Sequence, residues 1–95
     1  FGADANWGRV LCAIGYSKAN VDVSKIDVAF TSSAGTVAVC KNSAGITFSE
    51  ELAKTILTEG EITIDINLNS GSYSSTAWGC DLTYDYVKIN GDYRT

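Results

Sequence analysis

Ile62-Thr-Ile-Asp-Ile-Asn-Leu68 is the most regular stretch of the chain, and its reading sets the fold class. Ile62, Ile64, Ile66 and Leu68 alternate strictly with Glu61, Thr63, Asp65 and Asn67. That is the period of a strand with one buried face and one wet face. Upstream, Thr47-Phe-Ser-Glu50 has the spacing of a capping box, in which a hydroxyl and a carboxylate satisfy orphan backbone donors. Phe48, Leu52, Ala53, Ile56 and Leu57 then form the apolar stripe of a helix that Gly60 stops. Further back, Asn42-Ser-Ala-Gly45 breaks a second pattern. Ile26, Val28 and Phe30 alternate with Asp27, Ala29 and Thr31, Ser32-Ser-Ala-Gly35 turns the chain, and Val37 and Val39 continue it as a hairpin. Trp7, Val10, Leu11 and Ile14 fall at i, i+3, i+4 and i+7, one face of a helix over 5–17 that Asp4 or Asn6 can cap.

On the other side, Asn69-Ser-Gly-Ser72 turns the chain into residues 73–80, a fourth strand of weaker alternation. Thr83 or Asp81 caps a short helix running to about Asn90, with Gly91 at its C′ position. The order is α-β-β-α-β-β-α. It describes one small α+β domain, a mixed or antiparallel four-stranded sheet with helices packed mainly on one face.

Composition narrows the function. Ninety-five residues make a single domain, and 45% apolar residues suffice for a core. Net charge is −4, and the lysines at 18, 25, 41, 54 and 88 stand singly, so no basic stripe offers itself to nucleic acid. Histidine is absent, which removes the commonest general base and metal ligand. Cys12, Cys40 and Cys80 lack metal or redox spacing and read as three reduced, packed thiols. No apolar run is long enough to span a bilayer, and the first residues lack the features of a signal peptide. Asp81, Asp85 and Asp92 read as a cap and solvated acids rather than a catalytic pair, and Glu50, Glu51, Glu59 and Glu61 as capping and solvation. The glycine at 71 has no phosphate-loop spacing. What stands out is the tail: Tyr84, Tyr86, Val87, Ile89 and Tyr93 carry apolar surface to the end, so the Thr95 carboxylate is expected to be held in place.

Two segments add a resemblance. Phe1-Gly-Ala-Asp-Ala-Asn-Trp-Gly-Arg-Val-Leu-Cys-Ala-Ile-Gly-Tyr16 resembles the G-x-D-x-N-W-G-R-I motif of the bifunctional ornithine acetyltransferase (glutamate N-acetyltransferase) family of arginine biosynthesis. Ala77-Trp-Gly-Cys-Asp-Leu-Thr-Tyr-Asp-Tyr-Val-Lys-Ile-Asn-Gly-Asp-Tyr-Arg-Thr95 is similar to that family's C-terminus, with Gly91 where members commonly carry alanine. The resemblance covers this whole chain but only the last quarter or so of a family enzyme.

It implies an autoproteolytic acyltransferase that cleaves itself before a threonine. That threonine takes acetyl from N-acetylornithine, releases ornithine and passes the acetyl to glutamate without a cofactor; some members also accept acetyl-coenzyme A. The nucleophile lies upstream of Phe1, so the resemblance implies no catalytic residue in this chain and inactivity alone. It implies a hetero-oligomeric partnership with the nucleophile-bearing portion, meaning the α subunit and the N-terminal part of the β subunit. The expected location is the cytoplasm, or the mitochondrial matrix in a eukaryote. The family's substrate-contacting asparagine and terminal residue match Asn90 and Thr95. From the residues alone Asn90 reads equally as a helix C-cap, and the two roles can coexist. Trp7 reads as core, Arg9 as a helix or interface ion pair, and Cys80 as a packed thiol. The alternative to the enzyme is a non-catalytic binding or oligomerisation module of the same fold.

Overall fold

A computed structural model describes residues 2–92. Its elements are α1 (Trp7–Tyr16), β1 (Asp27–Ser32), β2 (Gly35–Lys41), β3 (Ala44–Gly45), α2 (Glu50–Leu57), β4 (Thr63–Asn67) and α3 (Tyr84–Gly91). The strands form one antiparallel sheet in the order β3-β2-β1-β4. The α+β class and the four-stranded sheet are as the sequence predicts. The fourth strand is not: residues 73–80 are not a strand, and Ala44–Gly45 fills that place, so the helices and strands run α-β-β-β-α-β-α.

The hairpin of β1 and β2 is the centre of the molecule. Val28 and Phe30 point from β1, and Val37 and Val39 from β2, into a cluster with Ile26, Cys40, Ala5, Ala53 and Ile56. A register shift between Val28 and Ala29 lets consecutive Val39 and Cys40 both be buried. Gly35, at φ +134°, closes the hairpin in a conformation that a side chain would strain. β2 and β3 are joined by Asn42 (φ 49°) and Ser43 (φ 62°), two consecutive left-handed residues of the kind a tight hairpin needs. Ser43 holds this turn in place. Its hydroxyl accepts from the Ile26 N–H at 3.1 Å and donates to the Val23 carbonyl.

Helices α1 and α2 lay their apolar side chains on this cluster. Trp7, Val10, Leu11 and Ile14 of α1 are half-buried against it, the stripe read from the sequence. Asn6 is the cap, accepting from the Arg9 N–H at 3.3 Å. In α2 the cap is Ser49, accepting from the Leu52 N–H at 3.1 Å, and not Thr47. The helix begins at Glu50, so Thr47 lies too far upstream to serve. Ala53 and Ile56 are fully buried, and each large side chain so placed contributes roughly 1.5–3 kcal/mol. α3 adds no buried side chain.

β4 departs from its predicted burial. Ile64 and Ile66 pair across from Phe30 and Val28 and therefore share the core face. Yet Ile64 and Ile66 are 51% and 44% exposed, because β4 lies at the sheet edge beyond the reach of the helices, and Ile62 just before the strand is 40% exposed.

Candidate functional site

α3 carries the described residue that the sequence singles out. Thr83 caps the helix by accepting from the Tyr86 N–H at 3.0 Å, and Asp85 in the first turn suits the positive helix end. Asn90 sits in the last turn, exposed, with its amide donating to the Tyr86 carbonyl at 2.9 Å. This fixes the rotamer and leaves the amide oxygen directed away from that bond as a free acceptor among the described residues. Gly91 is the final helical residue and does not adopt the left-handed C′ conformation; Asp92 is the C-cap. Thr95, with its expected held carboxylate, lies outside the described residues, as does Tyr93. Around Asn90 the apolar side chains are uncovered: Val87 is 61% and Ile89 66% exposed, and upstream Trp78 is 90% exposed.

Two shallow depressions lie elsewhere, on the sheet. One, of about 380 Å³, is lined by Thr31, Ser32, Ser33, Glu59, Glu61 and Thr63. The other, of about 530 Å³, opens on the helix-free face over Ala29 and Ala38, with Asp27, Lys41, Asp65 and Asn67 around it. Neither includes Asn90.

The helix-free face is held by polar groups that sequence reasoning passed over. Thr31 donates to Asp65 at 2.8 Å and lies 3.1 Å from the Thr36 hydroxyl. An ionised carboxylate only accepts, so Thr31 spends its proton on Asp65 and Thr36 must donate to Thr31. The bonds thus run one way across β2, β1 and β4. At the far end of β1, Asp27 accepts from the Asn42 N–H at 2.9 Å and from the Asn69 amide at 3.0 Å. The Asn69 amide also donates to the Lys25 carbonyl at 2.7 Å. The Asn42 and Asn69 bonds hold the Asp27 carboxyl below its ordinary range. Alternation marked these residues only as solvent-facing; the partners come from turns distant in sequence.

The thiols are not alike. Cys40 is buried, its Sγ 3.7 Å from the Ile26 carbonyl, and burial pushes the thiol up. Cys12 and Cys80 are exposed rather than packed. Among the described residues no cluster of His, Cys, Asp or Glu is arranged to hold a metal ion, and no helix is long and apolar enough to cross a membrane.

All of residues 1–95 match the ArgJ family. The chain belongs to that family. It is 55% identical over its full length to the arginine biosynthesis bifunctional protein ArgJ 1 of Clostridium acetobutylicum, of which it spans 23%. It is also 55% identical to the ArgJ of Caldanaerobacter subterraneus, again over all of this chain and 24% of the relative. A crystal structure of ArgJ from Bacillus halodurans, 48% identical, superimposes with a TM-score of 0.84 over 97% of this chain and 42% of the solved one. The ArgJ segment described here thus spans about a quarter of the length of the curated relatives it matches. Within the family motif, Asn6 caps α1, and Trp7 lies half-buried against Gly45 of β3, which gives both residues structural work.

Proposed function

We propose that this chain is the C-terminal portion of a glutamate N-acetyltransferase, moving acetyl from N-acetylornithine to glutamate. The observation that carries the reading is the match to ArgJ proteins of arginine biosynthesis along every residue of the chain. In the proposed reaction a threonine hydroxyl on another segment attacks the N-acetyl carbonyl. The amide C–N bond breaks, and ornithine leaves with the proton that the hydroxyl gives up. The α-amine of glutamate then attacks the acetyl-threonine ester and restores the hydroxyl. Each half conserves atoms without a cofactor, and acetyl-coenzyme A can enter in place of N-acetylornithine. The reaction is placed in the cytoplasm, or in the mitochondrial matrix of a eukaryote.

This chain would supply binding groups rather than the nucleophile. The Asn90 oxygen, free among the described residues, can accept from a substrate amine, and Thr95 would be the second substrate contact. The partner is the nucleophile-bearing remainder, and autoproteolysis would separate the two. Two lengths support that division: the chain spans 42% of the solved ArgJ polypeptide but 22–24% of curated relatives, so the solved chain is about half as long as they are.

The test is acetyl transfer by a full-length ArgJ polypeptide ending in these residues. Losing one hydrogen bond to a charged group costs about 1.5–3 kcal/mol, so Asn90→Ala should lower kcat/KM roughly 10- to 150-fold. Unchanged transfer would remove Asn90 from the site. Transfer by the 95-residue chain alone would refute the division of labour.

A further inference from the structure

We propose that the free edge of β4 is completed by a β-strand from the remaining part of the ArgJ polypeptide, with apolar residues in phase with Ile64 and Ile66. The proposal rests on this chain working together with that remainder, but its test does not depend on acetyl transfer.

The two edges of the sheet differ. β3 is only Ala44–Gly45, so that edge is too short to template a further strand, and the Trp7 indole packs where a Gly45 side chain would stand. β4 pairs with β1 without a break from Thr31↔Thr63 to Asp27↔Asn67, and it contains no lysine, proline or bulge. Those are the devices by which proteins blunt an exposed edge. Alternate N–H and C=O groups along β4 therefore point outward, and a strand is the element that satisfies them in sequence. The same edge leaves Ile64 and Ile66 at 51% and 44% exposure on the core face, and one added strand with matching alternation would flank them with apolar side chains.

Charge selects between occupants. The charged residues on and beside β4 are Asp65 and Glu61, both acidic. Two copies paired antiparallel about the middle of β4 would set Asp65 opposite Asp65, which is unfavourable. A strand with a neutral or cationic residue at that point carries no such penalty. The length of the relatives supplies a source, since this chain spans 23% of the Clostridium acetobutylicum ArgJ.

The experiment uses the full-length ArgJ polypeptide ending in these residues. Hydrogen exchange is followed across Thr63–Asn67, and Ile64→Cys is placed in a Cys12→Ser, Cys80→Ser background with a bifunctional thiol–photoreactive probe. Expected are slow exchange at every β4 amide and a crosslink to a residue outside these 95. Alternate β4 amides exchanging at the solvent rate would overturn the proposal. So would a crosslink between two copies of β4. If Ile64→Cys impairs folding, the exchange pattern of the unmodified protein decides alone.

Discussion

The indole of Trp7 occupies the space that a Cβ on Gly45 would need: an ideal Cβ there would stand 2.5 Å from Cζ2 and 3.2 Å from Cη2. A ring does not yield as a flexible chain end does, so the contact locks α1 to the β3 edge. Gly45→Ala should destabilise the fold by about 1–3 kcal/mol, the usual cost of overpacking. Urea unfolding should show that Trp7→Leu relieves part of this loss, giving a coupling energy in a double-mutant cycle. Additive effects would mean that the two residues do not compete for space.

Ile56 joins α2 to the hairpin with none of its surface exposed. Ile56→Ala should cost about 2–5 kcal/mol, read as a lower denaturation midpoint at unchanged slope. Leu52→Ala on the same helix, at a site 41% exposed, should cost clearly less. Equal losses would contradict the orientation of α2.

Asp27 ties two turns to the start of β1, and its carboxyl is held low by the bonds from Asn42 and Asn69. A depressed folded value gives stability that is full above the ordinary carboxylate range and is lost as pH falls through the lowered one. Asp27→Asn should therefore be less stable than the parent at about pH 7, and the gap should close toward ~pH 2. Thermal melts across that range would read it, and a pH-independent gap would show that the charge contributes nothing.

Ser43 gives a prediction with two parts. Its hydroxyl serves Ile26 and Val23, so Ser43→Ala should cost about 1–3 kcal/mol. At φ 62° glycine is unstrained, and Ser43→Gly should recover some of that loss. If glycine proves worse than alanine in calorimetry, the turn geometry described here does not hold.

Alternation and helical spacing made the hairpin, α1 and α2 legible, because each buries a continuous apolar stripe. They did not reveal β3, whose two residues are too few to have a period and are placed by the turn at Asn42 and Ser43. They favoured residues 73–80, where weak alternation finds no partner strand. For β4 they identified the core-facing row correctly but not its exposure, since a pattern tells which side is apolar and not whether anything covers it. Asn90 came only from the resemblance. Its spacing within α3 is equally that of a helix end, and the bond to Tyr86 shows that it also serves the helix.

The hydroxyls of Thr36 and Thr31 hand their protons in one direction, toward Asp65. One carboxylate thereby sets the polarity of a relay that touches three neighbouring strands. Exchange it for a side chain able to donate, and the relay can reverse by a turn of the two hydroxyl rotors.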